Sequence, residues 1–304
     1  VDDTFCGAFI GFDPTFQPVL TLTIGFHMDH FPSVAFIGGG NMANALVSGL
    51  LNRHCPLAKL HIIEVAEPLQ RQWNERGISV VPYPDERLSR YDVWIYAVKP
   101  QQMRDVVLAT REWLRPNTLV ISIAAGISLE SLSNWLNQQG QPWQRVVRCM
   151  PNTPALVGEG ITGMAAPSSV LEQDRAVATR LLETVGQVVW VDDDQALDAV
   201  TALSGSGPAY VFLFLEALIA GGLSLGLTMD QSRKMAIATL HGATRLASES
   251  PESPATLRER VTSKGGTTAA ALDVFNREGF TDMVKQAMHA ASTRAAELSV
   301  EFGR

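Results

Sequence analysis

Two groups of residues in this sequence have the types and the spacing that binding chemistry requires. The first follows a short apolar run and consists of Ile37, Gly38, Gly39, Gly40, Asn41 and Met42. With Ala43 it completes the pattern G-x-G-x-x-A, which is typical of a turn from a strand into a helix, where unpaired backbone N–H groups bind a pyrophosphate. Gly38 permits the tight turn, and Gly40 lets phosphates approach the backbone. The sequence therefore predicts a dinucleotide site.

An acidic residue stands where such a site needs one. Glu64 lies at the end of the apolar run 60–65 and follows Gly38 by 26 residues. A carboxylate at this distance binds the adenine ribose hydroxyls, and its charge repels a 2′-phosphate. We therefore predict a nicotinamide cofactor, NADPH or NADH, with NADH favoured. The alternative is that Glu64 is a solvated strand end.

The second group lies late in the chain and consists of Ser263, Lys264, Gly265, Gly266, Thr267 and Thr268. Two glycines and three hydroxyls just before an apolar helix offer backbone N–H groups at the positive end of a helix dipole, an arrangement that suits a carboxylate. The serine, glycines and threonines supply no strong acid, base or nucleophile. The alternative is a hydroxyl-rich helix cap without a ligand.

The elements that position the first group alternate between short apolar runs and helical stretches. This alternating pattern over residues 31–193 predicts a parallel sheet covered on both faces by helices. Ligands gather at the carboxyl ends of such strands. After the run 92–98 this places Ala97, Val98, Lys99 and Pro100 beside the cofactor. After the run 119–123, small residues leave room for a flat ring at Ile123, Ala124 and Ala125.

The strand pattern stops after Asp194. Residues 203–208 predict a break, and residues 209–227 predict a helix in which Glu216 is the only ionisable residue. The apolar length approaches that of a membrane span, but its glycines and the lack of flanking basic residues favour a buried helix covered by a second subunit. Further helices are predicted over 230–248, with Asp230 as the cap, and over 255–261, 268–277 and 282–302. The fold class is thus α/β, with a Rossmann-type dinucleotide-binding domain at 32–193 and an all-α domain at 194–304.

Composition excludes several other classes of protein. The net charge is −7 and no block of Lys or Arg occurs, which argues against binding to nucleic acid or to an anionic membrane surface. Cys6, Cys55 and Cys149 lack C-x-x-C spacing and predict reduced thiols in a cytoplasmic protein. The six histidines show no ligand spacing, so no metal site is expected. Residues 1–31 lack the pattern of a secretory signal and are expected to be a disordered extension or a start assigned too far upstream.

Four motifs in the same order give the chain a family resemblance. They are ALSGSGPAY within 198–210, TSKGGTT within 261–268, AVKPQ at 97–101 and RCMPNTP at 148–154. With these motifs the chain resembles the pyrroline-5-carboxylate reductases over about residues 34–298. The resemblance implies reduction of 1-pyrroline-5-carboxylate to L-proline by NAD(P)H, a dinucleotide-binding domain, and an all-helical dimerisation domain. It also implies a homodimer that can assemble further.

The resemblance also implies roles for individual positions. The turn 37–42 matches the pyrophosphate turn of the family, residues 97–100 match its cofactor loop, and residues 123–125 match the segment near the nicotinamide. Substrate roles fall on Ser263, Gly265, Gly266, Thr267 and Thr268, and Thr268 faces the ring nitrogen of the substrate. Asp194 corresponds to an acid that approaches the substrate in some members. Two departures are Lys264, where the family usually has proline, and Glu64-Val65-Ala66, which lacks the small or basic residues that accept a 2′-phosphate.

Two other functions fit parts of the sequence. A hydroxyacid dehydrogenase of similar domain order would place a lysine base in the helical domain, where Lys234, Lys264 and Lys285 are the lysines and Lys264 is the best placed. A dinucleotide-binding sensor without turnover would need the glycine turn but would have no reason to keep the loop 265–268.

Overall fold

The computed structural model describes residues 31–303. The expected extension at residues 1–31 lies outside this range except for Phe31, which packs against the core of the first domain. Cys6 also lies outside it, whereas Cys55 and Cys149 are buried free thiols.

The first domain is built on one eight-stranded sheet. Its strands are β1 (Val34–Ile37), β2 (Leu60–Ile63), β3 (Ser79–Val81), β4 (Val93–Tyr96), β5 (Leu119–Ser122), β6 (Val146–Met150), β7 (Gly160–Ala165) and β8 (Gly186–Trp190). Their order across the sheet is β3-β2-β1-β4-β5-β6-β7-β8. The Rossmann-type sheet is therefore as predicted through β6.

The expectation of an entirely parallel sheet is wrong at one place, because β7 runs antiparallel to β6. The chain between these strands holds only a short 3₁₀ turn, Thr153–Val157. A parallel pair needs a crossover of a dozen or more residues, so the short connection can return only in the opposite direction. β8 then pairs parallel with β7.

Helices cover both faces of the sheet. They are α1 (Asn41–Asn52), α2 (Glu67–Glu75), α3 (Pro100–Thr110), α4 (Leu129–Trp135) and α5 (Glu172–Leu182). Two apolar clusters fill the two sides: one centres on Phe36 and Leu46, and the other on Trp94 and Met103. The sequence patterns did not predict α4, which is short and begins at Ser128, whose hydroxyl accepts the N–H of Ser131.

The second domain is helical. Its helices are α6 (Asp194–Val200), α7 (Gly207–Ser224), α8 (Met229–Glu249), α9 (Pro254–Arg260), α10 (Thr267–Arg277) and α11 (Phe280–Phe302). α11 packs along α6 and returns to the first domain, where the partly buried Phe302 packs against the apolar cluster that contains Trp94. The Ser131 hydroxyl also donates to the carbonyl of Gly303 at 3.2 Å.

The predicted break at 203–208 is wrong. A π-helical turn, Thr201–Gly205, connects α6 to α7, so that helical structure runs on from Asp194 to Ser224. The Ser206 N–H donates to the Thr201 carbonyl at 2.8 Å, which carries the chain across the wide turn. Pro208 interrupts nothing because it lies in the first turn of α7, where its missing N–H would have had no partner.

The expected cap of α8 is also wrong. Thr228, not Asp230, is the cap: its hydroxyl accepts the N–H of Gln231 at 3.3 Å, and the Gln231 side chain accepts the N–H of Thr228 at 2.9 Å. This reciprocal pair is a capping box. Asp230 lies within the first turn, where its charge favours the helix dipole.

The apolar helix α7 is not buried within a single chain. None of its residues is buried, and Phe212 and Leu213 are 59% and 67% exposed. By length and composition alone, the helical run Asp194–Ser224 would be sufficient to cross a membrane. The described part of the same chain therefore does not provide the cover that was expected for this helix.

Candidate active site

The glycine turn after β1 has a conformation that only glycine allows at its first position. Gly38 has a φ of +103°, and a Cβ atom there would lie 2.7 Å from the carbonyl oxygen of Ala97. Its N–H donates to the Ile63 carbonyl at 2.8 Å, which fixes the turn against the end of β2. By contrast, a Cβ on Gly40 would meet nothing within 4 Å, so the side of the turn at Gly40 is open.

The turn leads into the open N-terminus of α1. Gly40 is the N-cap, no side chain caps the helix, and its first turn holds no acidic residue. Among residues 31–303 the first N–H groups of the helix therefore have no partner, and they carry the positive end of the dipole. Ala43 is fully buried, so the helix packs closely on the sheet at this point. This arrangement can bind a pyrophosphate.

Glu64 bonds directly to the glycine turn. Its Oε2 accepts the Gly39 N–H and its Oε1 accepts the Ala66 N–H, each at 2.8 Å. The carboxylate is half-buried between the carboxyl ends of β1 and β2. A carboxylate is thus fixed beside the glycine turn, at the end of β2 where the sequence pattern predicts a residue for the adenine ribose.

Trp73 on α2 holds the same turn and was missed by the sequence analysis. Its Nε1 donates to the Gly39 carbonyl at 3.1 Å, and a Cβ on Gly39 would lie 2.6 Å from that nitrogen. The guanidinium of Arg76 stacks 4.7 Å from the centroid of the indole ring. The available signal was a tryptophan on the short helix that follows Glu64, where most of the other residues are polar.

The loops after β4 and β5 complete this edge of the sheet. The Ala97 N–H donates to the Ile37 carbonyl at 2.8 Å, and the Ile123 N–H donates to the Tyr96 carbonyl at 3.1 Å. Pro100 is the first residue of α3, as expected. The remaining residues of the two loops range from buried to exposed: Val98, Lys99, Ala124 and Ala125. The structure thus brings all the predicted cofactor residues to one carboxyl edge.

A buried arginine joins the two domains near this edge. Arg148 on β6 is 1% exposed, and its Nη1 lies 2.5 Å from Oδ1 of Asp194. Its Nη2 lies 3.5 Å from Oδ1 of Asp198. Burial raises the pKa of the Asp198 carboxyl, against the opposing effect of Arg148. Since Oδ2 of Asp194 accepts the N–H of Leu129 at 2.9 Å, both oxygens of this predicted substrate residue already have protein partners.

The late loop leaves the N-terminus of α10 uncapped. Ser263, Lys264 and Gly265 are exposed, and Gly265 has a φ of +73°. The Ser263 carbonyl accepts the Gly266 N–H at 3.0 Å, and no side chain caps the helix that begins at Thr267. The N–H groups of the first turn, including those of Thr267 and Thr268, can therefore bind an anion such as a carboxylate.

The glycine turn and the late loop do not meet within one chain. Among residues 31–303, no hydrogen bond or ion pair joins residues 263–268 to the loops at the carboxyl edge. Groups of three or more His, Cys, Asp or Glu that could hold a metal ion are also absent from this range. Burial raises the pKa of the Cys149 thiol, which keeps it protonated.

Comparison with known protein sequences points to one family. A pyrroline-5-carboxylate reductase of Pseudomonas aeruginosa is 44% identical, covering 90% of this chain and 99% of the relative. The chain belongs to the pyrroline-5-carboxylate reductase family. A more distant member, from Pisum sativum, is 37% identical over 88% of this chain and 96% of its own.

Family models and solved structures agree with this membership. Residues 194–298 match the model for pyrroline-5-carboxylate reductase dimerisation, and residues 33–126 match the model for NADP oxidoreductase, coenzyme F420-dependent. The pyrroline-5-carboxylate reductase of Coxiella burnetii superposes with a TM-score of 0.82 at 35% identity, covering 89% of this chain and 99% of the other. The pyrroline carboxylate reductase of Plasmodium falciparum, solved with NADP bound, gives 0.77 at 27% identity, covering 88% and 98%. A dimerisation domain with an exposed apolar helix supports homo-oligomerisation.

Proposed function

We propose that this chain reduces 1-pyrroline-5-carboxylate to L-proline with hydride from NADH or NADPH, the last step of proline biosynthesis. The observation that carries the proposal is a pair of complementary binding sites in a member of this family. The glycine turn and the open end of α1 suit a pyrophosphate, and the uncapped end of α10 suits the carboxylate of a small substrate.

The residues of the chain orient the reaction. When bound, the reduced nicotinamide supplies a hydride for the carbon of the C=N bond. The N–H groups at the start of α10 and the Ser263 hydroxyl neutralise and hold the substrate carboxylate, and Thr268 accepts or donates a hydrogen bond at the ring nitrogen. Threonine is too weak an acid to protonate the imine near neutral pH, so the proton comes from solvent before hydride addition. The protonated C=N bond then accepts the hydride and becomes the C–N single bond of proline.

We assign Asp194 to positioning rather than to contact with substrate. Its two oxygens are bonded to Arg148 and to the N–H of Leu129. These bonds fix the orientation of the carboxylate, and its removal would leave the buried Arg148 with only the more distant Asp198 as counter-charge. Asp194 instead holds the start of the helical domain against the first domain.

We propose that NADH is preferred over NADPH, although the related Plasmodium structure holds NADP. Glu64 is fixed by two N–H groups beside the turn, and in this position its charge opposes a 2′-phosphate. We further propose a homodimer, open to larger assembly, that works in the cytoplasm without a nucleic acid or membrane partner. The second subunit would cover α7 and bring its late loop to the carboxyl edge of the first.

Oxidation of NADH and NADPH with pyrroline-5-carboxylate as acceptor tests the function. Rapid oxidation of NADH, with a smaller kcat/KM for NADPH, is expected. The variant Glu64→Gln, which removes the charge, should bring the two kcat/KM values closer together, whereas Glu67→Ala, which removes the next acid along the chain, should not. If a folded protein that binds NADH oxidises it by reducing an oxo acid to a hydroxyacid, and does not reduce the imine, the proposed function is wrong and Lys264 becomes the candidate base.

A further inference from the structure

The edge of the sheet beyond Glu64 carries two exposed apolar side chains. Val65 follows β2 and is 67% exposed, and Tyr83 follows β3 and is 72% exposed. The register pairs Ile63 with Val81, so each of these side chains comes two residues after the last pair of the same ladder. The Glu64 N–H donates to the Val81 carbonyl at 2.9 Å, which continues the pairing past the strand ends. The two side chains therefore stand at the same carboxyl edge as the glycine turn.

The backbone presents Tyr83 rigidly. Pro82 and Pro84 flank it, and a following proline restricts the residue before it to extended conformations. Asp85 next to this segment caps the following 3₁₀ turn by accepting the Arg87 N–H at 3.0 Å, and it also forms an ion pair with the Arg87 guanidinium. A backbone segment restricted by two prolines and a capped turn loses little conformational freedom when a ligand stacks on the ring that it carries.

The order of the strands matches the order of groups in a dinucleotide. The glycine turn for the pyrophosphate follows β1, and Glu64, the residue for the ribose, follows β2. The next strand outward is β3, about 4.8 Å farther along the sheet. Since a base follows its ribose in the nucleotide, the base of a bound cofactor would lie toward the end of β3.

We propose that Tyr83, together with Val65, forms the surface on which the adenine ring of the cofactor stacks. The inference rests on the proposed use of NADH or NADPH, and it adds a residue that determines affinity at the end farthest from the hydride. The Tyr83 ring supplies a π face, and the Val65 side chain supplies apolar contact beside it. Tyr83 takes no part in the chemical step, so its loss acts on cofactor affinity.

Direct titration of NADH, followed by its fluorescence, tests this assignment without any imine. Tyr83→Ala should raise the Kd and the KM for NADH about tenfold, as expected for the loss of one base–aromatic stack, with kcat unchanged. Tyr83→Phe should restore affinity, whereas Tyr83→Leu, which keeps apolar bulk without a π face, should not. The matched control is Leu57→Ala, an exposed apolar residue at the opposite, amino end of β2.

Reduced nicotinamide mononucleotide separates this inference from the proposed function. It has the reactive ring but no adenosine, so Tyr83→Ala should not change its kcat/KM. If Tyr83→Ala weakens NADH binding in a protein that reduces no imine, the proposed reaction fails and the adenine site stands. A Kd for Tyr83→Ala within twofold of the Leu57→Ala value, in a folded protein, overturns the adenine site. So does full affinity in Tyr83→Leu.

Discussion

At the scale of single residues, the two outer glycines of the turn have opposite surroundings. Gly38 has a positive φ and a Cβ there would clash with the backbone at Ala97, whereas Gly40 faces open space. We expect Gly38→Ala to lower the free energy of unfolding by about 1–3 kcal/mol, because it strains both the dihedral and the contact. Gly40→Ala should leave stability near wild type and weaken NADH binding, because its methyl group occupies the approach of the phosphates.

Denaturant unfolding and NADH titration of the two variants give the comparison. Equal stability losses in Gly38→Ala and Gly40→Ala would show that the turn relaxes, and unchanged NADH affinity in Gly40→Ala would remove the pyrophosphate from this position.

His61 is expected to make the stability of the first domain depend on pH. The residue is 1% exposed, its Nδ1 is 2.9 Å from the Ser79 hydroxyl, and Tyr91 stacks on its ring. Its Nε2 is buried and has no hydrogen-bond partner in the described part of the chain. Burial, aided by the charge of Arg87, lowers the pKa of His61 below its ordinary value. Below about pH 6.5 the unfolded chain therefore binds a proton that the folded protein does not, and stability falls as the pH falls through that value. Unfolding free energies at pH 8 and pH 5.5 should differ less in His61→Asn than in wild type, and an equal difference would exclude His61 as the source.

At the scale of elements, periodicity and glycine placement predicted where most strands and helices lie along the chain. The predictions failed where a local pattern does not contain the deciding contact. The short link before β7 determined the direction of that strand. The small residues that resemble a break form the π turn Thr201–Gly205, and Thr228, the residue just before α8, caps that helix in place of Asp230.

In the candidate site, the glycine turn and Glu64 could be predicted because their spacing is local. Trp73 could not, since its role depends on the packing of α2 against a turn 34 residues earlier.

One buried charge contributes to the link between the two domains. Arg148 on β6 pairs with Asp194 and Asp198 on α6, and Arg148→Leu leaves two acids without their counter-charge. We expect the free energy of unfolding to fall by about 3–5 kcal/mol, as when one partner of a buried ion pair is removed. Lys285→Met removes one side of the exposed pair with Asp282 and should leave the melting temperature near wild type. Equal melting temperatures for the two variants would show that the Arg148 cluster does not hold the domains together.

At the scale of the whole molecule, the helical domain lacks a core of its own. Among the described residues, its buried apolar residues are Leu197, Ala202, Ala236 and Ala295, and its long helix α7 has none. A domain with so little buried apolar surface cannot offset the entropy of folding unless another chain covers it. Subunit association and the folding of this domain are therefore expected to be one process.

A charged residue introduced on α7 should prevent assembly of the subunits and leave cofactor binding intact. We expect Leu213→Glu to convert the oligomer to monomer, because an unpaired carboxylate in an apolar interface costs several kcal/mol. Activity should fall with it, since the late loop and the glycine turn would no longer meet. The glycine turn lies wholly within the first domain, so NADH should still bind. Light scattering and NADH titration of the same sample measure the two properties.

The control is Leu108→Glu, which places the same charge on an exposed apolar position of α3 in the first domain and should leave assembly and activity intact. An active monomer of Leu213→Glu would mean that one chain completes the site by moving its own late loop to the carboxyl edge. An inactive variant that is still an oligomer would mean that α7 is covered in some other way. Only loss of assembly together with loss of turnover, while NADH binding is retained, fits a site divided between two subunits.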